Sequence, residues 1–303
     1  MKELLRRAWP WLLGLAIVIA IATRVPFDAF RDAIHEGPHL RLAVVDFAVI
    51  VVVLLTDTFA TWVALHVVGA RWTLGRTFAV RGATYILSLL NYAVGQGGIG
   101  YYLHRGGMSG LRAAGVTLFT MGTTFATLLV ITTVTWWAGG FTGATAMWWT
   151  LVAGCGAFAI YLGIIAIRPV SLTRRELLAP LFETGLRGHA LAILARLPHM
   201  AIIVLGHWFA LRAWGIPVPF AVAATVMPAV VIAGVIPISP AGLGTVQGAL
   251  VYFFSAYAAG ANPESREASV LAFSIVHFVY GMLGQLAIGL LCVPLARKGD
   301  QPA

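Results

Sequence analysis

Gly95-Gln96-Gly97-Gly98-Ile99-Gly100 and Ser239-Pro240-Ala241-Gly242-Leu243-Gly244 interrupt two otherwise apolar stretches, 77–104 and 217–260. Aligned on Gly98 and Gly242, about 144 residues apart, both read small–Gly–aliphatic–Gly, with Gln96 over Pro240 and Gly97 over Ala241. A bilayer tolerates backbone that is neither helix nor closed barrel only where protein buries it or water reaches it, because unpaired N–H and C=O groups cost several kcal/mol. A pair of Gly/Pro-interrupted apolar segments in two halves of one chain therefore points to a transport site. The competing reading is that such glycines let helices approach closely.

The surrounding chain is suited to lipid. Of its 303 residues, 60% are hydrophobic and 10% charged, with a mean hydropathy of +0.89; soluble domains average roughly 45–50% and 25%. The apolar runs have helix length and lack the two-residue alternation of a barrel. The expected fold is an all-α, polytopic integral membrane protein with residues 1–303 as a single transmembrane domain. The net charge of +9 resides in arginines at helix ends, as the positive-inside rule requires, and does not indicate a nucleic-acid partner. Cys155 and Cys292 lie in apolar helices and are expected as buried free thiols without metal or redox spacing.

Six full spans are expected, at roughly 8–24, 42–69, 112–138, 145–167, 190–212 and 267–295. The first, behind Lys2, Arg6 and Arg7, has the layout of a signal peptide but is read as an uncleaved helix. Arg71, Arg76 and Arg81 mark one cytoplasmic loop, and Arg105 and Arg112 a second. Arg168, Arg174, Arg175 and Arg187 mark a third, and Arg297 with Lys298 a cytoplasmic C-terminus. The region 77–110 thus starts and ends inside, so it enters and returns as a re-entrant helical hairpin with the first glycine motif near its tip. By the same reasoning 217–260 starts and ends outside and carries the second motif at its tip. The outcome is an inverted-topology repeat, 42–138 and 190–295, joined by the 145–167 helix and an amphipathic segment, 168–189, on the cytoplasmic interface. Both termini face the cytoplasm. Arg212 is the one basic residue placed outside against the rule.

Ionisable groups inside spans are costly and mark function by default. Asp57 and Arg196 occupy the first helices of the two repeats, so a mutual intramembrane ion pair is expected; Arg196 either grips a lipid phosphate or ties helices together. Asn91, Gln96, Gly98, Gly100, Tyr101, His104 and Arg105 around the first motif, and Gly242, Gly244, Thr245 and Gln247 around the second, are the candidate headgroup contacts. His66, His199, His207 and His277 sit in separate helices, so no metal site is expected, and Asp46 is expected to be hydrated near a helix end. No catalytic constellation, nucleotide loop or cofactor fingerprint occurs in a credible context, so neither an enzyme nor a cofactor is expected.

Pro240-Ala241-Gly242-Leu243-Gly244-Thr245-Val246-Gln247-Gly248 resembles the Pro-Gly-Gly-Leu-Gly-Thr-x-Glu-Gly signature of the flippase-like, lysylphosphatidylglycerol synthase transmembrane family, and Asn91–Arg105 is similar to that family's other motif. The resemblance implies a bacterial inner-membrane protein that moves or presents phospholipids or lipid carriers. Two positions depart from the pattern. Gln247 replaces the usual Glu, and Tyr101 the usual acid of the first motif, with His104 at its basic position. A cationic, aminoacylated headgroup is therefore not expected, and too few residues follow the last helix for an aminoacyl-transferase domain. The expected partner is a membrane lipid with an anionic headgroup, handled by a lipid translocase. The alternative is a non-catalytic accessory or scaffold subunit for a lipid- or glycan-modifying enzyme.

Overall fold

The computed structural model describes residues 26–139, 145–235 and 242–298, together with Ile19 and Thr23. The expected 8–24 span falls almost wholly outside the described residues, as do Ser239, Pro240 and Ala241. The described residues contain no strand. Their helices are α1 (Phe27–His35), α2 (His39–Val67), α3 (Leu74–Ser88), α4 (Tyr92–Arg105), α5 (Gly110–Gly139) and α6 (Thr145–Ile167). After these come α7 (Val170–Thr173), α8 (Ala179–Ala213), α9 (Phe220–Val235), α10 (Thr245–Phe254) and α11 (Pro263–Lys298).

Among the described residues, five helices are long and apolar enough to cross a membrane: α2, most of α5 and α6, α8, and α11 to Arg297. The 29 residues of α2 reach about 43 Å at 1.5 Å per residue, more than the ~30 Å hydrocarbon core. Val44, Val51, Val52, Leu55 and Phe59 of α2 are exposed, as expected of a helix solvated by acyl chains. The protein is a helical membrane protein.

The chain divides into two compact units. The first draws on Met1–Val51, Ile86–Val94 and Val204–Ala287, the second on Val52–Tyr85, Gly95–Ile203 and Ile288–Ala303. In the first, Ala268 and Leu271 of α11 pack with Ala29 and Phe30 of α1 and with Val251 of α10. In the second, Leu65, Val80, Ala83, Ile99, Val116 and Phe119 join residues near the end of α11. Gly82 is part of the reason these helices approach closely: a Cβ there would stand 2.3 Å from the Cys292 sulfur.

One corner occurs twice. After α2, Gly69 turns left-handed (φ +83°), Ala70 N–H bonds the Leu65 carbonyl at 2.8 Å, and Trp62 Nε1 donates to the Trp72 carbonyl at 3.1 Å. After α8, and 146 residues further on, Gly215 (φ +93°), the Ile216–Leu211 bond of 2.8 Å and the Trp208 Nε1 bond to the Val218 carbonyl at 2.9 Å repeat it. Ala64 and Leu65 are fully buried, as are Ala210 and Leu211. The correspondence resumes at a shift of 153 residues. Ser109 caps α5 by accepting the Arg112 N–H, and Asn262 caps α11 by accepting the Ser265 N–H. The corner and the cap that follow α2 and precede α5 thus recur after α8 and before α11, and the link between the short helices is longer in the second case.

This correspondence changes how the glycine motifs align. At a shift of 153, Asn91 falls on Gly244, not Gly98 on Gly242. The turn between α3 and α4 is residues 89–91, closed by Asn91 Oδ1 accepting the Val94 N–H at 2.8 Å. Gly95–Gly100 lies inside α4 and does not form a tip. The second motif does sit at a break: Gly242 (φ +75°) and Gly244 (φ +86°) lead directly into α10.

The 168–189 segment is also not one amphipathic helix. It is a short helix, a turn over 174–178, and the beginning of α8, which kinks at Gly185 (φ 55°, ψ −175°). Phe182 is buried, Glu183 pairs with Arg112, and Gly115 admits the Leu177 carbonyl so closely that a Cβ would lie 2.1 Å away. The segment's acidic residues are thus engaged by the start of α5. Cys155 is exposed and Cys292 buried; the former departs from expectation because α6 turns much of its surface outward.

Candidate functional site: a buried charge cluster

Asp57 of α2 is the centre of a polar cluster in the second unit. Arg81 Nε of α3 donates to Oδ2 at 2.5 Å, and Tyr85, one turn later on α3, points its hydroxyl at the same oxygen from 3.5 Å. Arg196 Nη1 of α8 donates to Oδ1 at 3.3 Å. His199 Nε2, three residues along α8, is 3.7 Å from Oδ1, and its Nδ1 is 3.4 Å from the Thr56 hydroxyl. Residues three and four apart share one helix face, which explains how α3 contributes Arg81 and Tyr85, and α8 Arg196 and His199, to one carboxylate.

Charge in this cluster does not cancel. Guanidinium groups stay protonated, so two cations face one anion, a surplus of one positive charge before His199 is counted. Asp57 is 1% exposed and Arg196 2% exposed, and Arg196 Nε has no hydrogen-bond partner. A buried, under-neutralised guanidinium is costly unless an anion completes it. Two planar forks beside a hydroxyl also match phosphate oxygens, which accept paired N–H bonds.

The sequence placed Asp57 and Arg196 in spans, and the structure holds them in contact distance. It corrects the reading of Arg81. That residue is not a loop charge, because α3 starts at Leu74 and carries Arg81 two turns into the helix, where it is 5% exposed. The recurrence of polar side chains at Arg81, Thr84 and Tyr85, spaced as one helix face, was the available signal.

The other candidate residues lie outside this cluster and make the following local contacts. Asn91 caps α4. Gln96 is buried, and Gly100 packs on α5, where a Cβ would meet Thr117 Oγ1 at 2.7 Å. Gly98 lies within α4 among the buried residues. Tyr101 is exposed beneath the Arg105 guanidinium, 6.0 Å from its ring centre. His104 Nδ1 is 2.9 Å from the Met108 carbonyl, in the turn that follows α4. In the first unit, Gln247 Oε1 accepts the Gly244 N–H at 2.6 Å, and Thr245 donates to the Ala233 carbonyl at 2.9 Å or to that of Gly242 at 3.0 Å. Gln247 Nε2 is buried without a partner. Asp46 is buried against His277 rather than hydrated. Among the described residues no group of acidic, His or Cys side chains is placed to hold a metal ion.

Gly97 offers a clean test of the helical state of the first motif. A Cβ there meets nothing within 4 Å, so Gly97→Ala is expected to leave stability unchanged or raise it by up to ~1 kcal/mol, the helix-propensity gain. Thermal unfolding in detergent measures it, and a clear loss would indicate a non-helical Gly97.

No protein-family model matches the chain, and neither does any curated protein.

Proposed function

We propose that the protein binds the anionic headgroup of a phospholipid or lipid carrier and passes the lipid between the leaflets of a bacterial inner membrane. The observation that carries this reading is the surplus cation at Asp57, Arg81 and Arg196, with Arg196 Nε unpartnered inside an apolar helix. In this scheme the headgroup phosphate replaces Asp57 as the acceptor for Arg196, while Asp57 keeps Arg81 oriented. The acyl chains stay in the bilayer beside the exposed apolar faces. The two short-helix pairs, α3–α4 and α9–α10, act as re-entrant hairpins entering from opposite sides, and the two halves alternate in opening to each leaflet. The family resemblance of the second motif supports the same class of cargo.

Burial of the cluster also favours a second reading, an accessory subunit whose Asp57 network only ties helices together. Vesicle reconstitution separates the two. With fluorescent phosphatidylglycerol, wild-type protein should move lipid faster than empty vesicles do, and Arg196→Gln should slow movement at least roughly tenfold, since a charge-assisted hydrogen bond contributes ~1.5–3 kcal/mol. Rates equal to empty vesicles across phosphatidylglycerol, phosphatidic acid and cardiolipin would leave only the accessory role.

A further inference from the structure

The first unit holds a second intramembrane cluster that the lipid site does not use. Asp46 of α2 is buried, and its Oδ1 lies 2.9 Å from Nδ1 of His277 on α11. Its other oxygen, Oδ2, is buried without a hydrogen bond. The His277 ring is stacked on Phe273 (centroids 5.3 Å apart, planes 12° apart) and meets the His207 ring of α8 edge-on at 4.9 Å. Three helices thus bring a carboxylate and two imidazoles together inside apolar spans.

We propose that Asp46, His207 and His277 form a proton-binding site within the membrane. The Asp46–His277 contact needs one hydrogen between its two atoms, on either the carboxyl or the ring, so the pair already shares a proton. A further proton has a place on an imidazole nitrogen, with the Asp46 carboxylate and the Phe273 ring face against the His277 ring. The titratable group seen to face the Asp46–His277 pair is His207 of α8. His39 and Tyr280 continue the same seam: His39 is seven residues before Asp46 and Tyr280 three after His277, both spacings that keep to one helix face. Nδ1 of His39 is 3.2 Å from the Tyr280 hydroxyl, and its Nε2 is 2.6 Å from the Ile34 carbonyl. With Nε2–H donating to that carbonyl, the Tyr280 hydroxyl donates to Nδ1, so a neutral His39 is used at both nitrogens. His277 is the imidazole against the carboxylate, and its ring meets that of His207. Imidazole is the side chain that changes charge near neutral pH, and ionisable groups inside spans mark proton relays. That this proton is coupled to lipid movement rests on the lipid reading above; the site itself does not.

The test uses full-length protein labelled with 15N-histidine in lipid nanodiscs, with imidazole signals followed from pH 5 to 8.5 and assigned by their loss in His207→Gln and His277→Gln. A pH-dependent His277 signal is expected, altered in Asp46→Asn and restored in Asp46→Glu, while the His66 signal is insensitive to either change. A His277 signal that is flat across the range, or one that responds identically in Asp46→Asn, would overturn the site. If Asp46→Asn does not fold, the wild-type profile and Asp46→Glu still decide, because a flat wild-type signal overturns it alone. Loss of lipid movement beside an intact titration would count against the lipid reading and not against this site.

Discussion

Replacing Asp57 by alanine is expected to destabilise the protein by about 3–5 kcal/mol, the range for removing one partner of a buried ion pair. The substitution leaves Arg81 and Arg196 as two guanidiniums, 5% and 2% exposed, with no anion between them. Asp57→Asn keeps an acceptor for Arg81 but not the charge, and should fall between wild type and alanine. Removing a cation along with the anion should recover part of the loss. In Asp57→Ala/Arg196→Met the coupling between directly bonded sites is expected at about 0.5–3 kcal/mol. The midpoint of thermal unfolding in detergent reads all three. A midpoint for Asp57→Ala equal to wild type would mean that water or another anion already compensates the arginines.

Gly242→Ala is the second large effect expected. Gly242 has φ +75°, and a Cβ would lie 2.7 Å from the Gly234 Cα and 2.9 Å from Val246 Cγ2. The left-handed backbone costs an alanine about 1–2 kcal/mol, and crowding against backbone typically adds about 1–3 kcal/mol. A loss of about 2–5 kcal/mol is expected from these ranges, together with displacement of the start of α10 and of the 2.6 Å bond between Gly244 N–H and Gln247. Gly75→Ala, where a Cβ meets nothing within 4 Å, is the control and should be close to neutral. Unfolding midpoints for the two side by side measure the difference, and equal midpoints would contradict the close approach of α9 to α10.

Much of the fold is legible because lipid makes composition informative. Long apolar runs bounded by arginine become helices, and an ionisable residue within a run, such as Asp57 or Arg196, stands out. Glycine is less informative. Membrane helices accommodate it readily, so Gly95–Gly100 continues α4, whereas the actual turn is set by the Asn91 cap. Only the left-handed φ at Gly242 and Gly244 makes the second motif a true break, and no composition rule separates the two cases. Arg81 was misplaced because charge bookkeeping assigns every arginine near a span end to a loop, while the start of α3 decides which of them is inside. The recurring corner was readable through a different motif. Trp62-Val63-Ala64-Leu65 followed by Gly69 matches Trp208-Phe209-Ala210-Leu211 followed by Gly215, with the tryptophan locking each corner and the glycine turning it. The Asp46–His277 contact joins helices more than 200 positions apart (|i−j| = 231), a pairing that no local spacing encodes.

The proposed passage of a lipid between leaflets has α3–α4 and α9–α10 enter the membrane from opposite faces. Gly75 and Ala221 occupy equivalent, exposed positions at the starts of α3 and α9. Single cysteines placed there, in a chain with Cys155 and Cys292 replaced by alanine, can be labelled with a membrane-impermeant maleimide in intact and in inverted membrane vesicles. Opposite insertion gives labelling of Gly75→Cys from the cytoplasmic face only and of Ala221→Cys from the other face only. Labelling of both from the same side would contradict the inverted repeat and the translocation built on it.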